Sequence, residues 1–334
     1  MKKTLIFIFM LLLTLTLVSC NDEKTEDKTE KEKTKELIPV DSVTVKDEDE
    51  EDFIITKDTP FYDALNCFDL TYTDNKMIEF YSKIKLGDND TANVTASLYY
   101  PNIHEFLWDV KLNESNKTFT LQEYLKEVYT DPLNHTRMVF AKYQYGLEKA
   151  FSGQELVYED GIVTSNDLYS NYNYPMQPPA QTDFGNAHVK ANYLVQFLNR
   201  FTLFQEFNDF EFNGKTIILE DYVTRSIELY EDYIIFKQTA PFAVNAYAGT
   251  NETKYSYYIG CINNELEITQ TVMFNLKTQQ IETVEVKGNT RSALIQINLP
   301  IEVDITAKVL TLDTAKYEKV ANELIEYVKE NATK

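Results

Sequence analysis

Histidine is scarce in this chain: His104, His135 and His188 are the full set among 334 residues, and they stand far apart. With no His-x-x-x-His pair, a zinc site is not expected. Cysteine is equally sparse. Cys20, Cys67 and Cys261 are all there are, and Cys67 has no neighbouring histidine to activate it as a thiol nucleophile. Positive charge is in deficit, with 32 Lys and Arg against 53 Asp and Glu for a net −21. Phosphate backbones and anionic headgroups demand a basic surface, so nucleic acid is excluded as a partner.

Catalytic signatures are missing as well. No Gly-x-Ser-x-Gly element occurs. Gly214-Lys215-Thr216 ends like a phosphate-binding loop, but the glycine required five residues earlier is Asp209, so the cradle of backbone amides is lost. Ser82 and Lys85 have the Ser-x-x-Lys spacing of penicillin-binding enzymes. They fall in an alternating segment, where positions i and i+3 face opposite ways, and no Lys-Thr-Gly follows. Asp88-Asn89-Asp90 opens like a calcium loop, yet Asn93 and Tyr99 stand where glycine and a bidentate glutamate are needed. Neither a metal nor a cofactor is expected.

What is present is concentrated at the start. Lys2 and Lys3 precede an apolar run from Leu5 to Val18, interrupted by Thr14 and Thr16. That run has the length of a signal-peptide core and falls short of a transmembrane span of ~20 residues. It ends in Leu17-Val18-Ser19-Cys20, which resembles the lipobox of bacterial lipoproteins. The resemblance covers only this segment. It implies cleavage before Cys20, acylation of that thiol, and an extracytoplasmic protein held to a membrane by two lipid chains, which anchor stably where one would not.

Residues 21–52 hold fourteen acids and six lysines with few apolar side chains, a composition that reads as a disordered tether. Loss of Lys2 and Lys3 takes the charge from −21 to −23, and the tether carries −8 of that, leaving about −15 on the rest. The organisation expected is a signal segment over 1–19, a lipidated Cys20 with its tether over 20–52, and a folded domain over 53–334. That domain is one unit or two halves, at about 53–165 and 186–334. Cys67 and Cys261 either form a disulfide, stabilising by on the order of 5 kcal/mol in the chain-entropy model, or lie as two separately buried thiols.

Within the domain, Thr59-Pro60 opens a short helix to about Phe68. Lys76–Leu86 and Asn93–Tyr100 alternate about Gly87-Asp88-Asn89-Asp90 and read as a hairpin. Phe106–Leu112 is a strand, and Thr120–Glu123 is a capping box that predicts a helix to Tyr129. Met138–Phe151 fits helix or strand, and residues 156–163 form a hairpin. A Tyr-, Asn- and Pro-rich loop spans 166–185, then a helix is expected over Ala187–Phe204 and another over Leu219–Tyr230. Strands follow over 233–238, 255–262, 266–274, 281–286, 293–298 and 301–310. A terminal helix carries Tyr317, Val320, Ala321, Leu324 and Val328 on one face. The fold class expected is α+β, an antiparallel meander sheet covered by helices.

The segments Lys117–Tyr124 and Lys215–Tyr222 echo one another, a pattern that chance or shared turn-to-helix chemistry explains better than duplication does. In the loop, Tyr169, Tyr172 and Tyr174 stand among asparagines, a mixture suited to holding sugars or peptides. The leading functional expectation is a non-catalytic envelope lipoprotein that binds a small molecule, lipid, peptide or glycan. A structural, protein-binding lipoprotein comes second and an extracytoplasmic enzyme third.

Overall fold

Alternation governs most of the chain. In residues 76–86, Ile78, Phe80, Ser82 and Ile84 are buried while Tyr81 and Lys83 are exposed, as expected of a strand with one face on a core. A computed structural model describes residues 37–46, 49–70, 74–87, 90–114, 117–129, 135–159, 162–170, 204, 207–244, 251–292 and 299–331. Residues 37–334 form one compact unit. No helix among the described residues is long and apolar enough to cross a membrane.

The first elements are a hairpin of β1 (Ser42–Lys46) and β2 (Asp52–Thr56), then a short helix α1 (Phe61–Leu65). There follow β3 (Lys76–Leu86), β4 (Asp90–Asn102), β5 (Glu105–Glu114), β6 (Lys117–Tyr129), β7 (His135–Tyr145), β8 (Glu148–Glu159) and β9 (Ile162–Ser170). Next come the small hairpin β10 (Phe210–Phe212) and β11 (Lys215–Ile217), a 3₁₀ turn over Leu219–Tyr222, β12 (Thr224–Leu229), β13 (Tyr233–Ala240) and β14 (Ala243–Val244). Helix α2 (Asn251–Asn263), β15 (Ile268–Asn275), β16 (Gln280–Ser292), β17 (Leu299–Thr311) and helix α3 (Thr314–Asn331) complete the series.

One 13-stranded sheet dominates. Its order is β12-β13-β15-β16-β17-β3-β4-β5-β6-β7-β8-β9, with β14 beside β16. Each pair along that path is antiparallel, and β17 pairing with β3 joins two meanders into one sheet. The meander expectation therefore holds at that level. Helices are few among the described residues, and they cover less than expected.

The core face carries a single apolar cluster running from Ile234 and Phe236 through Val286, Ile305, Ile78, Leu98 and Val110 to Leu121 and Val139. It is capped by Val43, Val45 and Ile55 of the hairpin, by Ala64, Leu65 and Phe68 at α1, and by Phe204 and Phe242. On the opposite face, α3 lays Tyr317, Ala321, Leu324 and Val328 over Met77, Tyr99, Leu107, Tyr124, Phe140 and Phe151. Its apolar residues recur at i, i+4, i+7 and i+11, one helical stripe. Helix α2 packs on the β10–β11 hairpin, where Phe210 stacks on Tyr255 with ring centroids 4.1 Å apart.

Several expectations are corrected. The expectation of disorder up to residue 52 is not met at Ser42–Lys46, which form β1. Val43 and Val45 alternate into the core, Val40 N–H donates to the Leu229 carbonyl at 3.1 Å, and Lys46 pairs with Asp52. The Gln279 side-chain amide donates to the carbonyls of Lys46, at 2.6 Å, and Cys67, at 2.7 Å, tying hairpin and α1 to the sheet. Two valines in a charged segment suffice because Val43 and Val45, two residues apart on one strand, share a face and are both buried.

The helix expected from the capping box at Thr120 is strand β6, paired along both edges by β5 and β7. A local cap signal is weak against two full ladders of hydrogen bonds. Leu219–Tyr230 is a single 3₁₀ turn and then β12. The strand expected over 255–262 is helix α2, whose Tyr255, Tyr258, Ile259 and Ile262 keep the i, i+3, i+4, i+7 spacing of one helical face. The echo between 117–124 and 215–222 does not extend past three residues of strand, since the first continues as strand and the second turns into a 3₁₀ helix at Leu219. Cys67 belongs to the main core and Cys261 to the α2 cluster, and both are thiols, not a disulfide. The Cys261 thiol donates to the Phe242 carbonyl oxygen at 3.3 Å. The segments expected as helix over 187–203 and strand over 293–298 lie outside the described residues.

Candidate functional site

Antiparallel register sets side chains of neighbouring strands side by side, so the outer face resolves into transverse rows. The first row is apolar. Leu310, Met77, Tyr99, Leu107, Tyr124 and Phe140 stand in register across β17, β3, β4, β5, β6 and β7, and α3 covers its centre. One step along the strands the chemistry changes. Lys308, Glu79, Ser97, Asp109, Gln122 and Lys142 occupy the next row, and Thr306, Tyr81, Thr95, Lys111, Thr120 and Gln144 the one beyond.

These two polar rows floor an open depression of about 610 Å³ running from Lys308 and Thr306 to Asp109 and Thr120. Helix α3 contributes Lys316 at its edge, whose Nζ lies 3.3 Å from Glu79 Oε1. Burial pushes the Asp109 carboxyl above its ordinary range, against a hydrogen bond from Gln122 and the charges of Lys142 and Lys316. Burial also lowers the Lys142 pKa, opposed chiefly by Asp109, and its ammonium sits 4.6 Å from the centroid of the Tyr327 ring. Tyr81 stands 55% exposed on the same floor, with its hydroxyl 3.3 Å from Asn93 Oδ1. The groove thus alternates acid, amine and hydroxyl beside one aromatic plate. Such a surface can satisfy a ligand dense in hydroxyls on several sides at once.

A second cluster lies where α3 begins. Tyr124 donates to Glu105 Oε1 at 2.9 Å, Tyr317 donates to the same oxygen, and Lys126 Nζ lies 3.5 Å from Oε2. Burial acts to raise the Glu105 pKa, but the hydrogen bonds from Tyr317 and Tyr124, with Lys126, outweigh it and hold the carboxyl below its ordinary range. Both phenols are pushed upward, Tyr317 by burial and by Glu105. The cluster therefore latches α3 to β5 and β6 with groups that keep their protons fixed. Tyr317→Phe is expected to cost about 1–2 kcal/mol, a hydrogen bond to a charged acceptor in a partly solvated setting. Because the folded-state pKa of Glu105 is depressed, its contribution is present above the ordinary value of 4.5 and fades as pH falls through the lowered one. Urea titrations of both proteins at several pH values check this, with the gap between them narrowing in acid.

The residues expected from the sequence are placed as follows. Tyr169 lies in β9 with its backbone opposite Gly153. Tyr172, Tyr174 and Cys20 lie outside the described residues. Cys67 and Cys261 are core thiols. Glu79, Tyr81, Asp109 and Lys111 were not expected as a site. Their outward positions in alternating strands were legible, but their adjacency depends on the register of three strands, β3, β4 and β5. Comparison with protein-family models, with curated proteins and with solved structures finds no match for this chain.

Proposed function

We propose that this chain is a bacterial envelope lipoprotein, anchored outside the cytoplasm through lipid on Cys20, whose folded domain binds a hydroxyl-rich ligand of the glycan class without transforming it. The observation that carries the reading is the pair of polar rows beside α3, with Tyr81 exposed among them. A sugar offers apolar C–H faces to stack on a tyrosine ring and equatorial hydroxyls for carboxylates, amines and threonines. A purely structural outer face has no need of a half-desolvated Asp109 at its centre. The acidic balance of the chain suits a neutral or amino-bearing ligand over an anionic one.

The test is a glycan array probed with the purified protein, followed by titration calorimetry on the strongest hit. Tyr81→Ala and Asp109→Asn are each expected to weaken binding about tenfold, the loss of one stacking or charged contact, with little change in melting temperature. Retained affinity in both variants removes the groove as the site. The anchor is tested separately. Cys20→Ala is expected to shift the protein from the detergent phase to the aqueous phase, and continued detergent partitioning of the processed variant counts against lipidation.

A further inference from the structure

Rows that run across a sheet repeat at the strand spacing, about 4.8 Å. The depression beside α3 draws its lining from five successive strands, β17, β3, β4, β5 and β6. Four intervals give it a length of roughly 19 Å. Along the strands it is only two rows wide, and next-but-one side chains stand about 6.6 Å apart. The floor is therefore long and narrow, with its long axis crossing the strands. Its open volume of about 610 Å³ falls within the ~300–1,000 Å³ of small-ligand clefts, so it has room for an occupant.

The row farther from α3 sets Thr306, Tyr81, Thr95, Lys111 and Thr120 side by side in register. The first four are exposed and Thr120 is half-buried. Each strand thus offers one polar side chain at a constant pitch, and one of the five is an aromatic plate. The charges of the lining balance, Lys111 and Lys308 against Glu79 and Asp109, which leaves no net pull on a charged chain. An extended pyranose chain joined by equatorial 1,4 links advances by nearly the same pitch per sugar. It carries hydroxyls along its edges and C–H groups on its faces, the complement of threonine, lysine and a tyrosine ring. A branched or compact sugar touches one end of such a floor, and a chain laid along the strands leaves it after two rows.

We propose that the groove holds a neutral, linear, β-1,4-linked oligosaccharide lying across the strands, with about one sugar per strand and one ring stacked on Tyr81. The inference rests on the glycan reading above and narrows it to a straight chain with a set direction.

Dimers, tetramers and hexamers of β-1,4-linked glucose, xylose and N-acetylglucosamine are titrated into the purified full-length protein by calorimetry. In at least one series the tetramer is expected to bind about tenfold or more tighter than the dimer, through contacts beyond Tyr81. Maltotetraose, whose α links curl the chain, should bind far more weakly. Lys111 and Thr120 stand two and three strands from Tyr81, about 10 and 14 Å away. The double variant Lys111→Ala, Thr120→Val changes only outward side chains, and it should lose most of the gain shown by the longer oligomers while changing the dimer far less. Equal affinity at all lengths, equal affinity for maltotetraose, or an unchanged length dependence in the folded double variant overturns the crosswise chain. If Tyr81→Ala still weakens binding in those cases, the groove stands as a sugar site of another kind. Absence of binding by all three series also overturns the proposal, and the glycan array then decides the broader reading by itself.

Discussion

Replacement of Phe236 by alanine is expected to cost ~3–5 kcal/mol, the range for a fully buried aromatic ring. Phe236 has no exposed surface. Its ring meets Phe61, Phe68, Phe204 and Phe274 at centroid distances of 5.3, 5.7, 6.2 and 5.6 Å. Those partners come from α1 and its exit, from Phe204 and from β15, so the cavity opens where three chain segments meet the sheet. None can collapse inward without leaving its own place. For a domain of this size the loss corresponds to roughly 10 °C in melting temperature, read by calorimetry. A change of under a degree would mean that the Phe61–Phe68 segment does not pack on β13 in solution.

The second large effect lies in pH. Glu123 has an ordinary carboxyl pKa of 4.5 when the chain is unfolded, and burial pushes it up to about 7 in the fold. The folded state therefore keeps a proton that the unfolded chain gives up between those values. Stability conferred by the neutral carboxyl is complete below pH 4.5, falls as pH rises through that window, and is gone above the folded-state value. At ~1.4 kcal/mol per unit, the fall is on the order of 3 kcal/mol. Carboxylates with depressed pKa values, such as Glu105, Glu220 and Glu228, act in the opposite direction at lower pH. The difference between the native protein and Glu123→Gln isolates the contribution. Urea titrations at intervals from pH 4.5 to 8 should show the variant gaining on the native protein as pH rises. Parallel curves across that range would mean that burial does not hold the Glu123 carboxyl above its ordinary range.

Parts of the fold were legible along the chain. The β3–β4 hairpin could be read because its apolar residues alternate on both sides of a turn, and that alternation is itself the cause of the strand. The apolar stripe of α3 was legible for the same reason, since Tyr317, Ala321, Leu324 and Val328 repeat at the helical period. Helix α2 shows how a propensity misleads. Tyr255, Tyr257, Tyr258 and Ile262 favour strand residue by residue, yet the burial of Tyr258 and Cys261 follows a helical spacing. At Thr120 the error ran the other way, with a good helix cap sitting inside a strand.

The sequence by itself determined the strand and helix periods of β3, β4, β5, β17 and α3, and the acidic balance of the whole, because these depend on residue type and local spacing. Tertiary structure alone decided that β17 pairs with β3, that Val43 and Val45 belong to the core, and that Glu79, Tyr81 and Asp109 share one floor. It also decided that Glu123 faces Trp108 on the apolar side. Each of these rests on pairing between segments far apart in the chain, and register is set by the summed burial of whole strands, which no local window contains.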